Sequence, residues 1–321
     1  NADGFLQPSP DEYIGKVEGL EDLTDVDVRD LGNIDSTNME TNLKLTNPSQ
    51  AEKMRDRSDI ARVIYENAFK YDGFVITHGT DTMSYTASAI SFALNNINKP
   101  IIFTGSQKPI TDIPSDAISN LINAVIVASK FNIGVSIVFG PKILRANRTT
   151  KVSESTLDAF DSPFVEQLGT IKLEPEINLD MVTKNKDNIS NNINFDSNII
   201  VIKIIPGLSN ANLEEMILSK YHGIILECYG HGNIPDSLMP FLNKAKAQQL
   251  PVVILSQCKT GVTKMNLYAV GEQAVLSGAI PGGDMTVEAA SIKLMWILAQ
   301  TRDIKKIKKL FATDIVGEIT I

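Results

Sequence analysis

Short apolar runs recur along this chain with room for a helix or a turn between them, and they restrict its fold more than any other feature. "FVIT" (74–77), "PIIFT" (100–104), "VSIVF" (135–139), "IIVIKII" (199–205), "GIILEC" (223–228) and "PVVILS" (251–256) are four to seven residues long. Runs that are apolar on both sides of the pleat suit strands covered on both faces, as in parallel sheets flanked by helices. The intervening segments carry helical spacing, as in Ile60, Val63, Ile64 and Ala68 within 49–70. The expected class is α/β with a largely parallel sheet. The polar, Asn-rich "KNKDNISNNINFDSN" (184–198) interrupts the alternation and suggests a linker. The expected organisation is a larger N-terminal doubly wound α/β domain (1–185), a linker (186–198) and a smaller C-terminal α/β domain (199–321).

Local signals fill in the elements. Ser9-Pro10-Asp11-Glu12 has the chemistry of a helix start. "TDVDVRDL" (24–31) alternates valines with acids and predicts a strand. Helices are expected over 82–95, 115–129 (capped by Ser115), 211–220, 236–248 and 271–277, with two more toward the C-terminus. "KILRANRTTK" predicts a strand or hairpin leading into a loop.

Composition excludes several functions. With 30 basic against 38 acidic residues the net charge is −8, and the single basic run, at 305–309, suits the solvated face of a helix rather than a nucleic-acid interface. No stretch reaches the roughly 20 apolar residues a membrane helix needs. The two cysteines, Cys228 and Cys258, end apolar runs and are expected to be buried at strand ends. Neither C-x-x-C nor H-E-x-x-H occurs, so no zinc site is expected. "GHGNIP" lacks the third glycine of a dinucleotide loop, and no Walker A motif is present.

Ligands of open parallel sheets bind beyond the carboxyl ends of strands. Polar clusters occupy four such ends: Asp35-Ser36-Thr37, Thr80-Asp81-Thr82, Thr104-Gly105-Ser106-Gln107 and Tyr229-Gly230-His231-Gly232-Asn233. A helix starting after Thr80 offers backbone N–H groups to a carboxylate, and Asp81 offers a negative charge to an ammonium. Together they suit a small zwitterion. Helix capping by Thr80 or Asp81 explains the same residues more blandly, with Thr82 helping to start the helix. His78, in a tight glycine-flanked turn, suits a structural or a catalytic role equally. His222 reads as a surface residue and His231 as a weaker site candidate.

"THGTDTMSYTASAISF" (77–92) resembles the bacterial-type L-asparaginase family, in its type I, cytoplasmic branch. The resemblance runs on through "DSTNM", "KPIIFTGSQKPI", "SDAISNLINA", "NRTTK", "IPGLS", "YGHGNIP" and "IPGGDMTVEAASIKL", nearly the whole chain. It implies a cytoplasmic enzyme that hydrolyses L-asparagine to L-aspartate and ammonia through a threonine acyl-enzyme, without metal or cofactor. By motif, Thr80, Asp81 and Lys151 correspond to a threonine–aspartate–lysine relay. Asp35, Ser36 and Thr37 correspond to the segment that holds the substrate's amino and carboxylate groups, and the Gly105–Ser106 turn to the backbone receiving the scissile amide. A threonine hydroxyl needs an adjacent base, and a lysine serves only when neutral. A carboxylate beside it favours the charged form, so the role expected of Asp81 is to orient the pair and grip the substrate ammonium. The family also implies a homodimer or a dimer of dimers.

Two departures qualify these expectations. The family's first strand ends in Thr-Gly-Gly-Thr-Ile and carries the threonine that attacks first; Thr-Gly-Gly-Thr does not occur in these 321 residues, which begin with Asn rather than Met. We expect the full-length protein to carry that segment. The alternatives are its removal by processing or a catalytically dead amino-acid-binding protein. Phe5 stands where many relatives have a loop tyrosine. A mixed glutaminase-asparaginase differs by a preference of one methylene, and an amidotransferase ammonia donor would need a docking domain that the sequence does not suggest.

Overall fold

The computed structural model describes residues 57–182, 192–217, 219–265 and 269–320, together with 17, 20, 22–29, 31 and 37 nearer the N-terminus. The expected helix start at Ser9–Glu12, Phe5, and the Asp35–Ser36 pair lie outside the described residues. The chain divides into two compact units, Asn1–Ile193 and Asn194–Ile321.

In the first unit the elements run α1 (Arg57–Asn67), β1 (Phe74–Thr77), α2 (Met83–Ala93), β2 (Ile101–Thr104), α3 (Ala117–Lys130), β3 (Val135–Phe139), β4 (Lys142–Arg145), β5 (Thr150–Lys151), β6 (Phe160–Asp161), β7 (Gly169–Ile171) and β8 (Pro175–Ile177). Helix α1 buries Ile60 and Ile64 as the spacing predicts, with Val63 half-buried and Ala68 buried in the turn just beyond the helix. Strand β2 is buried along its whole length. Ile102 packs beneath Ala124 and Val127 of α3. Ile101 and Phe103 point the other way by the two-residue period of a strand, and they too are fully buried. The sheet is therefore covered on both faces here, and each large apolar side chain so buried contributes about 1.5–3 kcal/mol.

The sheet order is β1-β2-β3-β4-β7-β8. Strands β1, β2 and β3 are parallel, but β4, β7 and β8 add antiparallel. The first-unit sheet is thus mixed, which corrects the expectation of a largely parallel one. The cause is local. Gly140, at φ +55°, and Pro141 reverse the chain after β3 in two residues, and so short a turn can only pair antiparallel strands. Thr77 lies opposite Thr104 in the parallel register. The residues after β1 and those after β2 therefore leave from the same sheet edge.

The second unit runs β9 (Ile199–Lys203), α4 (Asn210–Ile217), β10 (Gly223–Cys228), α5 (Met239–Ala247), β11 (Val252–Ser256), α6 (Ala269–Leu276), β12 (Ile280–Pro281), α7 (Val287–Gln300) and α8 (Ile304–Phe311). Its sheet, β12-β11-β10-β9, is wholly parallel. Ile224, Leu226, Ile254, Leu238, Phe241 and Leu242 form its core. Helix α7 is capped by Thr286, whose hydroxyl accepts from the Ala289 N–H. Lys293 of α7 is wholly buried against Glu318 and also donates to the carbonyls of Phe311 and Thr313, at 2.8 and 2.7 Å. Among the described residues no helix is long and apolar enough to cross a membrane.

Two local expectations fail. Residues 25–29 form no strand, and Val26 and Val28 are exposed. Alternation makes a strand only where a neighbouring ladder and a buried face await it. Cys228 is buried as expected, but Cys258 is exposed, because β11 ends at Ser256 and the chain has already left the sheet.

Candidate active site

The turn after β1 brings Thr80 and Asp81 to the start of α2. The N-cap position belongs to Thr82, whose side chain makes no capping hydrogen bond, although its carbonyl accepts the first helical bond from the Thr86 N–H at 3.0 Å. Neither Thr80 nor Asp81 caps the helix. Both side chains instead face Lys151, whose Nζ donates to Thr80 Oγ1 at 2.8 Å and to Asp81 Oδ1 at 2.7 Å. Lys151 is mostly enclosed, with 20% of its side chain exposed, whereas Asp81 keeps 60% and remains open to a ligand.

Lys151 reaches this position through the reversal after β3. Strand β4 leads into a turn of 3-10 helix at Ala146–Arg148, where Ala146, Asn147 and Arg148 are buried. Thr149 follows, its hydroxyl donating to the Arg145 carbonyl at 2.7 Å. Strand β5 then pairs with β6, Lys151 opposite Phe160.

The turn after β2 is built with the same economy of space. A Cβ on Gly105 would overlap the carbonyl oxygen of His78, so only glycine lets the two strand exits run this close. Asn120, buried on α3, donates to the Gly105 carbonyl at 2.9 Å and accepts from the Gly140 N–H at 3.0 Å. The buried Asp116 carboxylate accepts from the N–H groups of Gln107 and Lys108 and from the Asn120 amide, all at 3.0–3.1 Å. Ser115, the expected cap, lies one residue ahead of the N-cap position, which Asp116 occupies without a side-chain capping bond; its hydroxyl accepts from the Ala117 N–H at 3.1 Å. The "SDAISNLINA" motif thus supports a turn as well as starting a helix. Sequence reading missed this because a carboxylate just ahead of a helix looks like an ordinary cap. Ser106 is half-buried, as are its neighbours Gly105 and Gln107.

Thr37, of the Asp35–Thr37 segment, is exposed. His78 packs edge-on against Phe103, with its Nδ1 2.7 Å from the Gly79 carbonyl oxygen. His222 is exposed and bonded to Asp196, and His231 meets the Val262 carbonyl. No group of three or more His, Cys, Asp or Glu among the described residues could hold a metal ion.

Comparison with known proteins agrees with the motifs. Residues 2–183 match the model of the asparaginase N-terminal domain, and residues 198–311 that of the glutaminase/asparaginase C-terminal domain. The chain belongs to the asparaginase family. Escherichia coli L-asparaginase 1 is 38% identical over 269 residues, spanning 83% of this chain and 80% of that protein. The structure of the thermostable L-asparaginase from Thermococcus kodakarensis superposes with a TM-score of 0.82 at 36% identity, covering 92% of this chain and 87% of that one. A probable cytoplasmic L-asparaginase from Campylobacter jejuni gives a TM-score of 0.77 at 26% identity, covering 95% and 94%. Across the asparaginase family's two domains, then, the match extends over both units of the chain.

Proposed function

We propose that this protein is an L-asparagine amidohydrolase, releasing L-aspartate and ammonia through a threonine acyl-enzyme. The observation that carries the reading is the meeting of Lys151 with both Thr80 and Asp81, 71 and 70 residues away in sequence. Amide hydrolysis by this route needs a hydroxyl in contact with a proton acceptor, and a hydroxyl paired with lysine is one of the few ways proteins provide it. In its neutral form Lys151 takes a proton through Thr80. The attacking threonine oxygen, which the family resemblance assigns to a Thr-Gly-Gly-Thr segment not among these 321 residues, adds to the side-chain carbonyl carbon of asparagine. As the tetrahedral adduct collapses, the C–N bond breaks and the returning proton leaves with ammonia. Water then cleaves the ester and regenerates the hydroxyl. Asp81 holds the lysine in line and accepts from the substrate's α-ammonium. The N–H groups of the Gly105–Ser106 turn face the developing oxyanion, a contribution typically worth about 3 kcal/mol for each donor. Thr37, with Asp35 and Ser36, holds the substrate's amino and carboxylate groups.

Localisation in the cytoplasm is part of this proposal, supported by the likeness to the Campylobacter protein. So is a homodimer or dimer of dimers, supported by family membership and by exposed apolar side chains at Val152 and Leu157. Light scattering on the purified protein tests the assembly.

The deciding experiment is ammonia release from L-asparagine, and from L-glutamine beside it, by the protein as encoded in full, wild type against Thr80→Ala. We expect turnover by the wild type and a loss of about 10³-fold or more in the variant, the scale on which activated nucleophile systems fail. Saturable asparagine binding with no ammonia would replace the enzyme by an amino-acid-binding protein.

A further inference from the structure

We propose that Gln107 is a positioning residue for the reaction. Its side chain is a strut that fixes the distance between the Ser106 turn and the lysine-bearing strand β5. This inference rests on the amidohydrolase reading and assigns Gln107 no contact with substrate.

Gln107 faces two carbonyl oxygens: its Nε2 lies 3.3 Å from Ser153 O and 3.1 Å from Thr156 O. Both partners are acceptors, so the amide must present its nitrogen and spends both N–H bonds on the segment just after Lys151. Its own backbone is fixed at the other end, where the Gln107 N–H is held by both oxygens of the buried Asp116. The receiving segment is itself a tight turn, with the Ser153 hydroxyl accepting from the N–H groups of Ser155 and Thr156 at 3.2 Å. The strut therefore joins two stiff ends.

The links close into a ring. The His78 N–H donates to the Thr104 carbonyl at 2.8 Å, joining the exits of β1 and β2. Lys151 joins β5 to Thr80 after β1. Gln107 joins the exit of β2 back to Ser153, two residues beyond Lys151. These three non-covalent links, with the chain between them, tie together the segments that carry Thr80, Asp81, Lys151 and Ser106.

One link is more exposed to loss than the others. Strands β5 and β6 form a two-stranded sheet separate from the six-stranded one. An isolated ribbon of this size is marginally stable by itself. Its far strand is held by Lys142, which donates to the Phe160 carbonyl at 3.1 Å and pairs with Asp158 at 2.9 Å. Its near side, where Lys151 sits, is held toward the β2 turn by Gln107. Without that tie the ribbon can shift against the oxyanion donors while remaining folded, and a displacement of about 1 Å in a reacting group can cost on the order of 10²-fold in rate.

The test uses the full protein and two near-isosteric variants. Gln107→Met keeps the length and removes the donor; Gln107→Glu places a carboxylate against two carbonyl oxygens. Three quantities are read: kcat and KM for asparagine, with kcat normalised to the folded fraction by circular dichroism, and the rise in Tm caused by L-aspartate. We expect kcat per folded molecule to fall at least tenfold in the Met variant and further in the Glu variant. KM should stay within about threefold, and aspartate should still raise Tm as it does in the wild type. Wild-type kcat per folded molecule in the Met variant overturns the proposal, even if Tm or yield falls, since the residue would then serve stability alone. A loss carried by KM with kcat unchanged overturns it as well. A wild type that releases no ammonia refutes the amidohydrolase reading, a result separate from either of these.

Discussion

Lys151 Nζ lies 2.8 Å from Thr80 Oγ1, although one residue sits on strand β5, the other in the turn after β1, and they stand 71 positions apart. Because the same ammonium also meets Asp81 at 2.7 Å, removing its charge and changing its proton chemistry are separable experiments. Lys151→Met should lower kcat for asparagine by about 10²–10⁴-fold, the usual worth of a positioned acid–base group. Lys151→Arg keeps a charge but cannot give up its proton near neutral pH, so it should rescue little. If arginine restored most of the rate in an ammonia-release assay, Lys151 would be an electrostatic support and not a proton acceptor.

Asp81 is expected to act on binding more than on turnover. Its side chain keeps 60% exposure beyond the bond to Lys151, the proposed role has it accept from the substrate ammonium, and a hydrogen bond to a charged group is worth about 1.5–3 kcal/mol. Asp81→Asn should therefore reduce kcat/KM for asparagine by roughly 10–150-fold, most of it through KM. An asparagine analogue lacking the α-amino group should be turned over about equally by variant and wild type. A full additional loss with that analogue would remove the ammonium-gripping role.

The pair of Lys293 and Glu318 is wholly buried, and the lysine also lies over the Phe311 ring with its nitrogen 5.3 Å from the centroid. Glu318 in turn accepts from the backbone N–H groups of Ile315 and Val316, at 3.1 and 2.7 Å. Removing one charge leaves the other uncompensated, so Lys293→Met should cost about 3–5 kcal/mol in urea unfolding. Adding Glu318→Gln should recover at least about 1 kcal/mol, because the buried partner is then neutral and still hydrogen-bonded. A double variant no more stable than the single one would mean that lost packing, not lost charge, sets the cost.

The two cysteines should separate cleanly by reactivity. Burial, with the Glu227 carboxylate adding to it, pushes the Cys228 thiol up to about 12, against an ordinary value of 9.0. Above pH 9 the unfolded thiol ionises while the folded one keeps its proton. The stability this group contributes is therefore present below pH 9 and is lost as pH rises toward about 12, at about 1.4 kcal/mol per pH unit. Cys228→Ala should flatten the alkaline fall in unfolding free energy by that slope. In native protein a thiol-specific reagent should modify Cys258 rapidly and reach Cys228 only in denaturant; rapid modification of both would contradict the burial.

Sequence by itself determined the elements and their chemistry. The apolar run of β2 had to be covered on both faces, because it offers no polar side to water. Helical spacing placed Ile60 and Ile64 on one buried face, and the polar residues at strand ends singled out Thr80 and Asp81. All of these depend on neighbours within a few positions, which is what a local pattern records. Tertiary structure decided the rest. It turned β4 antiparallel, left Val26, Val28 and Cys258 in solvent, drew Asp116 and Asn120 from a helix start into the support of a turn, and set Lys151 against Thr80 and Asp81 instead of in solvent. The reason is that a side chain's partner across 70 residues depends on how whole layers pack, and no run of sequence shorter than the fold contains that information.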